Sequence, residues 1–371
     1  MSLPADARKG TFIVAADAIA RIRLIRTDSI GPVTYRQLIA RFGTAQAALD
    51  ALPDLARRGN RSLSLCPASA AEAELAALPR IGAQLLFLGT PDYPALLAHT
   101  ETAPPVLYAR GDVALLERPA VAIVGARNAS AAGMRFARAL AIDLGAAEQV
   151  IVSGLARGID AAAHAAALST GTIAVVAGGA DVPYPPDHAD LMAQIAEAGL
   201  VVAEQPPGVE PQARHFPRRN RIIAGLSAGT IVVEGAAKSG SLITARLAAE
   251  LGREVMAVPG SPLDPRAGGC NQLIREGATL VRDAADVLEA LSTLSGEPRL
   301  PLGMAEPAAP ALVAPESARV TVLALLSPTP VPVDDLVRQS ALPAAQVASV
   351  LLDLELEGAL VRHAGARVAL A

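Results

Sequence analysis

The chain has 371 residues and a net charge of -4, with 52% apolar and 18% charged residues. That composition excludes a disordered chain and leaves material for two or three buried cores. No apolar run reaches the ~18 uncharged residues of a membrane span, and the polar start with Asp6, Arg8 and Lys9 does not read as a secretory signal.

Residues 12–84 read as a small helical domain. Apolar residues fall at helical spacing over Ala15–Arg26 and Thr34–Phe42, and Gln46–Ala51 suits a short third helix. Ser29-Ile30-Gly31-Pro32 separates the first two helices. Residues 85–294 change rhythm. Short apolar runs at Ala120–Val124, Val150–Val152, Thr172–Ala177, Leu200–Ala203, Thr230–Val233, Glu254–Val258 and Thr279–Val281 are mostly separated by helical stretches. This alternation is βαβ and predicts an α/β fold, a mostly parallel sheet covered by helices on both faces. Residues 295–316 are rich in proline and read as a linker. Residues 317–371 give three helices and a hairpin, at Ala318–Leu326, Asp334–Gln339, Ala344–Glu357, Leu360–His363 and Ala366–Ala369. That is the order of a winged helix, and the linker predicts that it moves on its own.

The candidate chemistry sits where strands end. After the first parallel strand come Gly125, Ala126, Arg127 and Asn128, then Ser130 as a helix cap. Free N–H groups at that helix start attract an anion. Arg127 stands where a dinucleotide fingerprint needs its second glycine, which disfavours that cofactor. After the next strand, Gly154 and Gly158 frame a loop, and Asp160 and His164 lie one helical turn apart. They form either an acid–base pair or a structural contact at the helix start. Tyr184, between prolines, either stacks on a base or is structural. In Arg214–Arg221, four arginines stand with His215 and Phe216. Across residues 205–246 six cations face two carboxylates, a local excess of four in a chain that is acidic overall. Arginine beside an aromatic suits a phosphate backbone with an unstacked base. Arg219 or Asn220 can instead be tied down internally. Lys238-Ser239-Gly240-Ser241 opens a helix after a strand and reads as an anion cradle. Asn271 either caps a helix or touches a ligand.

Other chemistries lack their residues. Cys66 and Cys270, far apart, fit a reducing cytoplasm and have neither disulfide nor zinc spacing. The glycines of a Walker A loop are missing before Lys238. Neither a metal nor a cofactor is expected, nor a catalytic residue, so the chain reads as a non-enzyme. Aromatic residues are 2% with no tryptophan, which excludes a long row of stacking side chains.

Taken together, several segments resemble the DprA (Smf) family. They are Val124–Arg127, Ser153–Asp160 with His164, Tyr184-Pro185, Phe216–Ala224, Lys238–Ala245, Pro259-Gly260 and Gly269–Ala278, spanning about residues 85 to 285. The resemblance implies an extended Rossmann-like domain, a SAM-like N-terminal helical domain and a C-terminal winged helix. It also implies a homodimer that binds single-stranded DNA, protects incoming DNA in natural transformation and helps load the RecA recombinase. The strand-binding residues it implies are Gly125, Ala126, Arg127, Asn128, Ser153, Gly154, Phe216, Arg218, Arg219, Arg221, Lys238, Ser239, Gly240, Ser241 and Asn271. Ala126 stands where many relatives carry serine, and the Ser29–Pro32 turn lacks the first glycine of a helix-hairpin-helix.

The tail reads differently from a groove-binding module. In a DNA reader its third helix enters the groove, but Ala344–Glu357 has no Lys or Arg and carries Asp353, Glu355 and Glu357. A protein-contact role is expected, with Arg362, His363 and Arg367 as the residual cations. The rival function is a Rossmann-type nucleotide hydrolase of the phosphoribohydrolase kind, loosely echoed by Gly229-Thr230 and Glu234.

Overall fold

A computed structural model describes residues 5–58, 63–295, 316–363 and 365–371. Four helices come first: α1 (Ala5–Arg26), α2 (Pro32–Phe42), α3 (Ala45–Arg58) and α4 (Ala68–Ile81). Then follow β1 (Ala83–Phe87), α5 (Ala95–Ala98), β2 (Val106–Gly111), β3 (Ala120–Gly125), α6 (Ala131–Ala146), β4 (Val150–Ser153) and α7 (Ile159–Ala167). The same alternation continues through β5 (Thr172–Val176), α8 (Ala189–Ala198), β6 (Leu200–Ala203), α9 (His215–Leu226) and β7 (Gly229–Val233). It ends with α10 (Gly240–Glu250), β8 (Glu254–Ala257), α11 (Gly268–Arg275), β9 (Thr279–Leu280) and α12 (Ala284–Ser295). The tail comprises α13 (Glu316–Leu325), β10 (Val331–Pro332), α14 (Val333–Ser340), α15 (Ala344–Leu356), β11 (Leu360–His363) and β12 (Arg367–Leu370).

The described residues form two compact units, one within Met1–Ala73 and Arg299–Ala371, the other within Glu74–Pro298. In the second, nine strands make one sheet in the order β1-β2-β6-β5-β4-β3-β7-β8-β9. From β6 to β9 every pairing is parallel, and β1 and β2 add an antiparallel edge. The predicted strands are all present. Those of the sheet centre are buried along their length, so they read as unbroken apolar runs. Along β3 the side chains alternate between two cores. Ala122 and Val124 join Ile222, Ile223 and Ala245 on one face. Val121 and Ile123 join Leu140, Leu144 and Ile159 on the other. The chain leaves β3 toward β4 on one side and returns to β7 on the other. The crevice between the carboxyl ends of β3 and β7 is thus the sheet's switch point, where open α/β sheets take ligands.

In the first unit, Leu24, Tyr35, Leu38, Leu49 and Leu52 form a core together with Leu352 and Leu356 of α15. The tail's own core gathers Val322, Leu336, Val350, Leu354 and Val368. So the tail packs with the N-terminal helices, where the proline-rich linker predicts an independent module. Most of that linker, residues 296–315, lies outside the described residues. Helix α3 also outruns the predicted Gln46–Ala51, continuing through Pro53, and α4 is a fourth helix within the region expected to be helical. Ser29, in the turn that lacks a glycine, adopts φ of 66°.

Candidate nucleic-acid interface

The switch-point crevice is a groove of about 580 Å³. Its walls come from three places far apart in sequence: Gly125–Asn128 after β3, Phe216, Arg219 and Asn220 at the start of α9, and Lys238–Ser241 before and into α10. Arg127, Asn128 and Lys238 are exposed. The Arg127 guanidinium lies 5.4 Å from the centre of the Phe216 ring, and that ring stands 5.4 Å from the Tyr184 ring at an interplanar angle of 59°. Tyr184 is 45% exposed, so this phenol has one face free despite its flanking prolines. The three side chains line a smaller recess of about 90 Å³ that continues the groove. Cation and aromatic ring together give a surface that holds phosphate and base at once.

Glycine at the groove floor follows from packing. A Cβ at Gly125 would lie 2.0 Å from the Val233 carbonyl oxygen of the neighbouring strand. At Gly154 it would lie 1.3 Å from Arg219 Nη1. Gly154 therefore makes room for an arginine of the same chain.

The two helix N-termini on the groove have different fates. On α10, Ser239 caps the helix by accepting from the Ser241 amide at 3.3 Å. Asn220 donates to the Gly240 carbonyl at 3.3 Å, but the side of Gly240 where a Cβ would stand is open space, and with exposed Lys238 beside it this end can take an anion. On α6 the expectation of an open anion site fails. The Ser130 amide donates to Glu234 at 2.8 Å, and the Ser130 hydroxyl also hydrogen-bonds that carboxylate while accepting from the Gly133 amide. Glu234, held at φ of 55°, already supplies the negative charge. It acts as a cap, which removes the carboxylate that the nucleotide-hydrolase reading required.

The loop 154–156 is pinned from below, and this decides the roles of Asp160 and His164. Asp160 accepts from the Gly154 amide at 3.2 Å and the Ala156 amide at 3.3 Å. His164 Nε2 accepts from the Leu155 amide at 3.3 Å, and its Nδ1 pairs with Thr172 Oγ1 at 2.7 Å. Since Nε2 accepts, Nδ1 carries the proton and donates to Thr172. The Leu155 carbonyl accepts from His188 Nδ1 at 2.9 Å. Burial, with the Arg219 charge adding to it, pulls His164 down to about 3. Burial pushes Asp160 above the usual carboxylate range, opposed chiefly by Arg219. A neutral, fully engaged histidine and a carboxylate spent on two amides make a brace, and the acid–base alternative falls away. Cys270 is no nucleophile either, because burial pushes its thiol up to about 11.

Several residues expected on the strand-binding surface are placed elsewhere or turned inward. Ser153 is fully buried and donates to the Ile123 carbonyl at 2.6 Å. Arg219 lines the groove but is only 7% exposed, and its guanidinium donates inward to the Val175 carbonyl at 3.3 Å. Arg221 points away, into an ion pair with Glu204 at 2.5 Å and a bond to the Thr102 carbonyl. Asn271 caps nothing and does not line the groove. It clips the Gly260 backbone, accepting from its amide at 3.2 Å and donating to its carbonyl at 2.9 Å. Arg218 is exposed beside the groove without lining it. Conversely, Tyr184, Ile243 and Arg266 line the two recesses. Only Tyr184 carried a signal in the sequence, its aromatic type beside proline. Among the described residues no group of three or more His, Cys, Asp or Glu is placed to hold a metal. Nor is any helix long and apolar enough to cross a membrane.

With this geometry in hand, the likeness to known proteins is specific. Residues 84–292 match the family described as DNA recombination-mediator protein A. Residues 15–77 match the DprA-like N-terminal HHH domain, and 306–366 the DprA winged helix domain. The DNA processing protein DprA of Bacillus subtilis is 45% identical over 58% of this chain and 74% of its own length. Protein Smf of Escherichia coli is 38% identical over 85% and 84%. Among solved structures, DprA of Streptococcus pneumoniae superposes with a TM-score of 0.56 at 37% identity, over 70% of this chain and 98% of its own. DNA processing protein A of Helicobacter pylori, described for its single-stranded DNA binding mode, gives 0.52 at 30% identity, over 57% and 96%.

Proposed function

We propose, for a chain that belongs to the DNA recombination-mediator protein A (DprA, Smf) family, that it holds single-stranded DNA in the switch-point groove and hands the strand to the RecA recombinase. The observation that carries this reading is the convergence of Arg127, Phe216, Lys238 and the open start of α10 on one groove. Phosphates bind the arginine, the ammonium and the α10 amides, and a base stacks on Phe216 or Tyr184. The contacts are to backbone and ring faces, so binding is largely indifferent to sequence. The protein acts without a cofactor and without chemistry of its own, in the cytoplasm. As a homodimer it presents two grooves, which raises affinity for a strand long enough to reach both.

Fluorescence titration with oligothymidylates of graded length tests the reading. Tight binding that strengthens with length is expected, with a duplex of the same sequence bound far more weakly. Equal affinity for duplex and single strand would overturn it. For the second step, RecA filament formation on strands coated with single-strand-binding protein should speed up when this protein is added. Base release from nucleoside monophosphates by the purified chain would instead revive the hydrolase reading.

A further inference from the structure

We infer that the third helix of the winged-helix tail, α15, is a docking surface for the chain's own N-terminal helices and does not read DNA. Two apolar stripes run along it. Val347, Val350, Leu351 and Leu354, spaced i, i+3, i+4 and i+7, face the tail's own core. Leu352 and Leu356, one turn apart, face elsewhere and are buried in the core of the N-terminal helices. A winged helix standing alone would leave that leucine pair in water.

The polar groups around the leucine pair find partners within the same unit. Asp353 takes Arg41 of α2 at 2.5 Å, with the two side chains 25% and 13% exposed. Glu355 accepts from Thr34 at 3.3 Å and from Arg362 at 2.9 Å. Arg362 also donates to Gln37 at 3.3 Å. Glu357 pairs with Arg319 of α13. Thus the three carboxylates that make α15 look hostile to DNA are all neutralised within the unit, two of them with a partner on α2. Of the three wing cations, Arg362 is spent on Glu355 and Gln37. The occupant of this face is the N-terminal helical segment of the same chain.

The test uses the full-length protein. Carboxylates are labelled with a carbodiimide and a small amine, and the extent at Asp353 is compared with exposed Asp334 on α14 of the same tail. Asp353 should label several-fold more slowly than Asp334, equally at 0.1 and 10 µM protein and equally with saturating duplex DNA. Equal labelling of the two residues would overturn the inference. So would protection that grows with protein concentration, which would assign the dock to a second copy, or protection that appears only with duplex. Charge exchange then examines the contact itself. Arg41→Asp should speed Asp353 labelling and lower the melting temperature, and adding Asp353→Arg should recover most of the lost temperature. A swap no better than its worse single variant would overturn the pairing. Should the single variants fail to fold, the wild-type labelling decides alone.

Discussion

Replacing Asp160 with asparagine separates a brace from a catalyst. In the wild type the carboxylate is buried with Arg219 acting on it electrostatically, and it accepts two loop amides. Asparagine keeps the shape and one carbonyl acceptor but removes the negative charge. Arg219 then keeps its charge in the groove wall, 7% exposed, without that carboxylate. Removing one partner from a buried charge pair costs about 3–5 kcal/mol. A retained amide bond offsets part of this, so about 3 kcal/mol is expected. For a domain of this size, at about 2–4 °C per kcal/mol, the melting temperature should fall by about 6–12 °C. Differential scanning calorimetry reads the shift. Strand affinity, measured at 10 °C where the variant is still folded, should stay within about threefold of wild type. A melting temperature within 2 °C of wild type would refute the brace. An unchanged melting temperature with a lost activity would restore a catalytic role to Asp160.

His164 sets a pH dependence. Its value is about 3 in the folded chain against 6.5 when unfolded, so between these the unfolded chain takes up a proton that the native chain refuses. Stability from this group is therefore intact above pH 7 and falls as pH drops from about 6.5 toward 3, by about 2 kcal/mol at pH 5. Urea midpoints at pH 7 and pH 5 should show that loss in wild type, and a His164→Gln variant should show a flatter profile. Arg221→Met should lower stability by about 1 kcal/mol by removing the largely buried ion pair with Glu204 and the bond to the Thr102 carbonyl. Its strand affinity should not change by more than about twofold; a tenfold weakening would put Arg221 back on the DNA. Truncation after Leu294 should leave strand affinity within a few-fold, less than ~1 kcal/mol. Because it uncovers the core that Leu352 and Leu356 close, it should also raise binding of a hydrophobic dye. A truncated protein that binds no more dye than wild type would contradict that packing.

The sequence shows the sheet well because a parallel strand buried on both faces is a plain apolar run, as in Val150–Ser153. It hides β1 and β2, which pair antiparallel at the edge, although Gly82, at φ of 64°, marks the break between α4 and β1. At the site, Arg127 and Lys238 were legible from residue type after a strand end, and Phe216 from its place among the arginines of 214–221. The inward bonds of Arg219, Arg221 and Asn271 were not legible, because their partners lie outside the local motif. Arg219 fits the Gly154 gap, Arg221 finds Glu204 and Thr102, and Asn271 finds Gly260. The anion site at α6 failed for the same reason, since Ser130 is 104 residues from the carboxylate that fills it. In the tail the acidity of α15 was visible but its neutralisation was not, because Arg41 lies 312 residues away.

The salt dependence of oligothymidylate binding by the Arg127→Ala, Lys238→Ala double variant tests the central claim most directly. If the wild-type groove neutralises about four phosphates, log Kd against log salt has a slope of magnitude about 3 for a single strand. Losing two charged contacts at about 1.5 kcal/mol each should weaken binding about a hundredfold and reduce that slope to about 1.5, with the melting temperature unchanged because both side chains are exposed. A folded double variant that keeps wild-type affinity and slope would show that the strand lies elsewhere on the protein.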